Sequence, residues 1–200
     1  MSYCALIKEI SGQCGVRFEL NYPAGLKTTY GTGGNADGAF FPETAEQAKK
    51  LVGLLRGAAV PYVYLGAGSN VLVSDEGFSG AVIYSCGFKG LSVGGKTIVA
   101  GAGEELKDLI KAALYSSLGG LEFLSGIPAT VGGAIAQNAG CFGKNIGDYV
   151  SYVVTSEGIY PQKDCGFDYR TSVFKTRKEL IVSACFNLEN VEFDESQEKI

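Results

Sequence analysis

Residues 119–143 read GGLEFLSGIPATVGGAIAQNAGCFG. The stretch holds seven glycines with apolar residues between them and no lysine or arginine. A flexible linker of this glycine content would be polar. The composition instead suits a loop in which backbone comes close to something buried, because glycine tolerates φ > 0 and has no Cβ to keep a neighbour away. Gly132-Gly133 and Gly140 are expected to expose backbone N–H groups, and successive N–H groups form an anion-binding concavity. Read alone, the stretch fits a nucleotide or cofactor site, or a tight crossing of two sheets, equally well.

A second stretch of the same character lies upstream. Tyr62 to Leu65 has strand composition and runs into Gly66-Ala67-Gly68-Ser69-Asn70. Gly66 and Gly68 let the backbone turn and approach a ligand, while Ser69 and Asn70 add polar side chains. The GK[ST] ending of a Walker loop is absent. A Rossmann fingerprint is also excluded, since Val71-Leu72-Val73 continues as a strand pattern where a helix should open. A plain β-turn is the alternative.

Around these stretches the chain alternates helix and strand signals, which argues a mixed α/β or α+β architecture. Met1 to Gln13 shows a helical pattern with Tyr3, Leu6, Ile7 and Ile10 on one face. Thr44 to Arg56 is a helix with Thr44 as cap and Gln47 placed for a capping box. Glu104 to Ser117 is a helix with Leu106, Leu109, Ile110, Ala113 and Leu114 inward. Phe88–Val93 and Thr97–Ala100 have strand patterns about Gly94-Gly95, and Tyr152–Thr155 and Ile159-Tyr160 read as a hairpin. Leu180 to Leu188 alternates, with Leu180, Val182, Ala184, Phe186 and Leu188 on one face. A boundary near Gly87 gives two parts, 1–86 and 87–188, followed by an acidic tail at 189–200 that is expected to fray.

Composition excludes several classes of chemistry. The 200 residues contain no histidine, so a Ser-His-Asp or Cys-His nucleophile system within the chain is excluded. Histidine-ligated metal and a histidine-linked cofactor are excluded with it. The six cysteines are scattered and none has C-x-x-C spacing, so neither zinc nor a disulfide framework is expected. No metal site is expected. A net charge of −4 with no basic stripe argues against nucleic acid as a partner. No signal segment and no apolar run of membrane length is present, so a cytoplasmic protein that does not enter a membrane is expected. Chemistry must come from Arg, Lys, Glu, Asp, Tyr, Ser or Cys, or from a bound cofactor.

Four stretches together carry a family resemblance. TTYGTGG near Thr28, LGAGSNVLVSDEGFSGAVI, GLEFLSGIPATVGGAIAQNAGCFG and FDYRTSVFK occur in this order, and they resemble the UDP-N-acetylenolpyruvoylglucosamine reductase (UDP-N-acetylmuramate dehydrogenase) family. They cover the chain from Thr28 to Leu188.

The resemblance implies the α+β fold of the FAD-linked oxidases (PCMH or vanillyl-alcohol-oxidase type), with two α+β subdomains and FAD between them. By the match, Gly66, Ala67, Gly68, Ser69 and Asn70 hold the FAD diphosphate. Gly126, Ile127, Pro128, Ala129, Thr130, Gly132, Gly133, Asn138 and Gly140 line the rest of the cofactor, and Ile181 touches the flavin. The implied reaction is ping-pong and belongs to peptidoglycan precursor synthesis. NADPH reduces FAD, and hydride then passes to the enolpyruvyl group of UDP-N-acetylglucosamine enolpyruvate. Arg170 matches the family's catalytic arginine, and a fixed guanidinium suits the enolate charge that hydride addition builds.

Departures from the family pattern are visible. Ala129 stands where glycine is usual, and Cys141 stands where a small residue is usual, either as filler or as a reactive thiol. The family's chains continue into a third domain that carries the proton-donating serine and a late glutamate, and neither has a match here. The resemblance therefore implies the FAD-binding part of the reductase. The alternative is a shortened, non-catalytic FAD- or nucleotide-binding module.

Overall fold

The computed structural model describes residues 3–177 and 179–191. They fall into two units that divide between Gly87 and Phe88.

The first unit opens on helix α1 (Cys4–Cys14). Its buried face is Ile7, Ile10, Ser11 and Cys14, a stripe at helical spacing shifted from the expected one, and Leu6 is exposed. Strand β1 (Arg17–Tyr22) pairs antiparallel with β2 (Ala36–Phe41). Helix α2 (Ala45–Gly57) follows and buries Ala48, Leu51, Val52 and Leu55. Its Thr44 cap accepts from the Gln47 N–H at 3.1 Å. The reciprocal bond of the expected capping box is displaced, because the Gln47 side chain accepts from the Glu43 N–H at 2.8 Å. Strands β3 (Tyr62–Leu65) and β4 (Phe78–Tyr84) complete a sheet in the order β1-β2-β4-β3, with the last three parallel.

Val71–Val73, read as a strand, forms no ladder. Its neighbour across the gap is a glycine-rich loop, and the two backbones approach too closely and irregularly for strand pairing. Val71 and Val73 instead cover an aromatic cluster in which Phe41 and Tyr84 stack at 5.4 Å and Tyr22 meets Tyr84 edge-on at 5.5 Å.

The second unit is built on an antiparallel sheet. Strands β5 (Leu91–Gly94) and β6 (Thr97–Gly101) form its first hairpin. Helix α3 (Leu106–Tyr115) buries the five expected apolar residues. Strand β7 (Leu118–Gly119) and helix α4 (Val131–Ala136) come next, then the two-residue strands β8 (Gly140–Cys141) and β9 (Lys144–Asn145). Strands β10 (Val150–Thr155), β11 (Ile159–Pro161), β12 (Ile181–Asn187) and β13 (Glu189–Asn190) follow. The main sheet has the order β11-β10-β12-β6-β5, and β13 pairs with β7.

Cross-strand rows explain its core: Val153, Ala184 and Ala100 align and are all fully buried, as do Phe186 and Ile98. On the other face of β12, Ile181 and Cys185 are buried as well, Ser183 is half-buried, and Asn187 at the strand's end is exposed. Helices α3 and α4 pack against this sheet.

The helix α4 departs from the expected loop. Glycine in a helix interior costs about 1 kcal/mol relative to alanine, so two adjacent glycines hide it from the sequence. Tertiary contact decides otherwise. A Cβ on Gly132 would meet the Ala102 Cβ at 2.9 Å, so the missing side chain is what lets α4 pack there. Among the described residues, no helix is long and apolar enough to cross a membrane.

Candidate functional site

In the first unit, β3 ends at Leu65 and the chain enters Gly66–Asn70. Gly68 is left-handed at φ +71, and its carbonyl accepts from the Thr29 N–H at 3.2 Å. A Cβ there would press on the Lys27 carbonyl and Thr28 Cα, each at 3.2 Å. The Thr28 hydroxyl, buried beneath, donates to the Gly25 carbonyl at 2.8 Å. Among the described residues, the N–H groups of Ala67, Gly68, Ser69 and Asn70 donate to no backbone carbonyl. Four consecutive N–H groups without a backbone acceptor, on a turn held by the Thr29 N–H, are donors of the kind that bind anionic oxygens.

The Thr28–Asp37 loop has a different task from that of a ligand cradle. Gly33, at φ +106, faces the Val73 carbonyl with no room for a Cβ. Gly34 would clash with the Asp75 carbonyl and the Gly77 nitrogen, each at 2.5 Å, and its N–H donates to the Ser74 carbonyl at 2.8 Å. These glycines let two loops cross at backbone distance and so set the position of the segment that follows Gly66–Asn70.

In the second unit, Gly126 is exposed at φ +81 with open space where its Cβ would stand. Ile127 and Ala129 are half-buried and Pro128 is exposed. The loop is fixed to the start of α3, where Leu106 N–H donates to the Ala129 carbonyl at 2.9 Å. Thr130, buried, caps α4 by accepting from the Gly133 N–H at 3.3 Å.

The expectation that Gly132 and Gly133 expose their N–H groups is corrected. Val131 donates to the Glu104 carbonyl at 2.8 Å, Gly132 to the Ala102 carbonyl at 2.9 Å, and Gly133 to its own cap. The start of α4 has therefore spent its donors on the protein, and residues there can offer a ligand surface contact rather than anion binding. Gly140 faces Lys144 and Asn145 across the tight β8–β9 hairpin, where a Cβ would stand 2.6 Å from the Lys144 carbonyl. Ile181 is buried at the start of β12.

Asn138 is buried, and its amide bridges two segments. Its Oδ1 accepts from the Gly147 N–H at 3.0 Å, and its Nδ2 donates to the Asp168 carbonyl at 3.0 Å. The second of these partners belongs to the turn that carries Arg170. Asp168 and Thr171 exchange both backbone hydrogen bonds around Tyr169-Arg170, at 3.2 and 3.1 Å. Arg170 sits at the turn with φ +53, exposed, and among the described residues its guanidinium has no hydrogen-bond or ion-pair partner. Tyr169 beside it is 84% exposed, so it is not a packing residue.

Sequence reading missed the residues that hold this turn. Ser172 Oγ donates to the Ala136 carbonyl at 2.8 Å. Lys175 Nζ donates to Gln137 Oε1 at 3.2 Å and to the Arg170 carbonyl at 3.1 Å. Both lie within FDYRTSVFK, but their partners at Ala136 and Gln137 are more than thirty residues away, and no local pattern announces such contacts.

The cysteines divide by environment. All six are free. Cys165 is fully buried, its thiol lies 3.4 Å from the Pro161 carbonyl, and burial pushes its pKa up to about 11, which marks it as inert. Cys141 is half-buried in β8.

Each unit by itself carries a feature that suits part of an FAD: in the first, the amides of 67–70 have no backbone acceptor among the described residues, and in the second, Gly126 offers a bare glycine surface beside half-buried apolar side chains. The comparisons with known proteins agree. The FAD binding domain family matches residues 36–160, more than half of the chain. UDP-N-acetylenolpyruvoylglucosamine reductase of Staphylococcus haemolyticus is 35% identical over 187 residues, which is 91% of this chain and 61% of that protein. The protein of that name from Carboxydothermus hydrogenoformans is 39% identical over 174 residues, 84% of this chain and 58% of that protein. The chain thus spans about three-fifths of the curated relatives it matches.

Among solved structures, the Thermus caldophilus UDP-N-acetylenolpyruvylglucosamine reductase superposes with a TM-score of 0.76 at 32% identity, covering 92% of this chain and 66% of that one. A Physcomitrella patens BBE-like 1 variant shares the fold at 21% identity, with a TM-score of 0.68 over 93% of this chain and 45% of that one. The expected α+β fold of the FAD-linked oxidases is therefore the fold of this chain. By its matched domain and its relatives, the chain belongs to the FAD binding domain family and corresponds to the FAD-binding portion of proteins named UDP-N-acetylenolpyruvoylglucosamine reductase.

Proposed function

We propose that this chain holds FAD for an NADPH-dependent reductase that acts on UDP-N-acetylglucosamine enolpyruvate in peptidoglycan precursor synthesis. The observation that carries the reading is the row of open backbone donors from Ala67 to Asn70. Gly66–Asn70 would bind the FAD diphosphate through these N–H groups. Gly126–Thr130, with Gly132, Gly133, Gly140 and Ile181, would line the remainder of the cofactor through apolar and backbone surface. Asn138 would support this lining from behind, because it is buried, its amide side chain is engaged within the protein and its N–H donates to the Ile135 carbonyl. Bound FAD supplies the capacity to accept hydride from NADPH and deliver it to the enolpyruvyl carbon.

The side chain assigned to the chemistry is Arg170. Hydride addition to an enolpyruvyl ether places negative charge on the adjoining carboxylate as an enolate. A guanidinium without an internal partner is available to bind that carboxylate through two parallel N–H donors. A fixed cation where charge develops lowers the barrier without reorganising at the moment of reaction. Arg170 would act through its charge and its fork of N–H donors.

Titration of the chain with FAD, followed by flavin fluorescence, tests the reading. Saturable binding tighter than tens of micromolar, about −6 kcal/mol, is expected. No saturable change at that concentration would overturn it.

A further inference from the structure

Arg170 is an arginine at φ +53, where an L side chain is strained and glycine is not. Such residues persist where their surroundings over-determine them, and here the surroundings are specific. Three consecutive residues at the end of α4 each hold one point of the turn. The Ala136 carbonyl accepts from Ser172 Oγ at 2.8 Å, Gln137 Oε1 accepts from Lys175 Nζ at 3.2 Å, and Asn138 Nδ2 donates to the Asp168 carbonyl at 3.0 Å. Lys175 Nζ also donates to the carbonyl of Arg170 itself at 3.1 Å.

We infer that Ser172 and Lys175 are positioning residues for the Arg170 guanidinium, with the C-terminal end of α4 as the template on which the turn is set. The inference rests on the proposed role of Arg170 as the group that stabilises charge on the substrate.

Stability alone does not account for Lys175. It is exposed, and exposed polar contacts made by a long, flexible side chain contribute little to folding. Yet its ammonium spans α4 and the one residue of the turn that is strained. What the span fixes is direction: with the Arg170 carbonyl held, the peptide plane cannot rotate, and the side chain leaves the backbone on a defined course. The opposite end of α4 begins at the Thr130 cap, which closes the Gly126–Thr130 loop. One helix of six residues therefore locates both a loop assigned to the cofactor and the turn assigned to the substrate. Misplacing a catalytic group by about 1 Å can cost on the order of 10²-fold in rate, so this bracing matters more to chemistry than to folding.

The test uses the 200-residue chain saturated with FAD, as wild type, Lys175→Met, Lys175→Arg and Ser172→Ala. Two quantities are read by NMR: the shift of the Arg170 Nε–H signal on titration with UDP-N-acetylglucosamine enolpyruvate, and the hydrogen-exchange rate of the Thr171 amide. The affinity for FAD is measured alongside by fluorescence. Lys175→Met is expected to weaken the sugar response about tenfold, with Lys175→Arg back within about threefold and FAD affinity unchanged throughout. A Lys175→Met response equal to wild type overturns the inference. If the wild type binds FAD but its Arg170 signal ignores the sugar, the substrate reading fails, and the exchange rate decides the positioning role. Thr171 exchange faster by about tenfold in Lys175→Met and Ser172→Ala then sustains it, and unchanged exchange overturns it.

Discussion

Replacing Gly33 by alanine isolates the loop crossing that supports the Gly66–Asn70 turn. Two terms oppose the substitution. Gly33 stands at φ +106, and holding an L residue there costs about 1–3 kcal/mol. The new Cβ also collides with the Val73 carbonyl, which is backbone and cannot rotate away. Relief requires the two loops to part, which breaks the Gly34 N–H bond to Ser74 at 2.8 Å and the Gly25 N–H bond to Gly34 at 3.1 Å. Each is worth about 1 kcal/mol net. The stiffer unfolded chain returns about 0.5–1 kcal/mol, which leaves a loss of roughly 2–4.5 kcal/mol from a total of about 5–15.

Two controls separate the causes. Gly31 is also left-handed, at φ +63, but has nothing within 4 Å, so Gly31→Ala should cost only about 1 kcal/mol. Gly53 lies in α2 with open space and ordinary φ, and Gly53→Ala should stabilise by about 0.5–1 kcal/mol. Urea unfolding followed by far-UV circular dichroism gives all three values. A midpoint fall of more than about 1 M is expected for Gly33→Ala. If Gly33→Ala lies within about 1 kcal/mol of Gly31→Ala, the loop contact is not what requires glycine at position 33, and the reasoning fails.

Gly126→Val should weaken FAD binding by at least about tenfold while lowering stability by no more than about 2 kcal/mol, because the space it fills is open in the protein; fluorescence titration and a thermal melt check the two parts. Tyr84 is buried, among the described residues its hydroxyl has no partner meeting hydrogen-bond geometry, and burial raises its pKa above the ordinary 10.0. The folded state then keeps a proton that the unfolded state gives up, so stability should be whole below pH 10 and fall as pH rises beyond it; Tyr84→Phe should leave neutral-pH stability unchanged or higher and make the alkaline fall shallower in melts across pH 9–11. Thiol titration with an aromatic disulfide should modify the exposed Cys86 promptly and leave Cys165 untouched until denaturant is added; prompt reaction of Cys165, identified by peptide mapping, would contradict its burial.

The long helices were legible because their signals are local. Leu106, Leu109, Ile110, Ala113 and Leu114 repeat at helical spacing and are all buried, and Thr44 caps α2 as its type and position suggest. The site was legible as glycine-rich loops, but the reason for each glycine was not. Gly68 and Gly126 have left-handed backbones beside open donors or open space, whereas Gly33 and Gly34 serve a loop crossing and Gly132 serves helix packing on Ala102. All five look alike in sequence, because what separates them is a neighbour tens of residues away. Asn138 shows the same limit. The family resemblance implied a ligand contact for it, while its side chain joins Gly147 to Asp168, a link only the folded chain reveals.

The strand order β1-β2-β4-β3 has a consequence for biosynthesis. Strand β4, one of the two inner strands of the first sheet, is the last of its four to be synthesised, and among the described residues β3 pairs with β4 alone. Until residues 78–84 leave the ribosome, β1 and β2 can form only a hairpin, which is marginal alone, and β3 has nothing to pair with. The Gly66–Asn70 turn, which begins where β3 ends, therefore acquires its shape only when Phe78–Tyr84 inserts between two waiting edges. A nascent chain paused in that interval would present unpaired β2 and β3 edges. A pause that leaves residues 62–70 outside the ribosome and 78–84 still within its exit tunnel should accordingly raise the aggregated fraction more than an equal pause taken once residue 84 is outside.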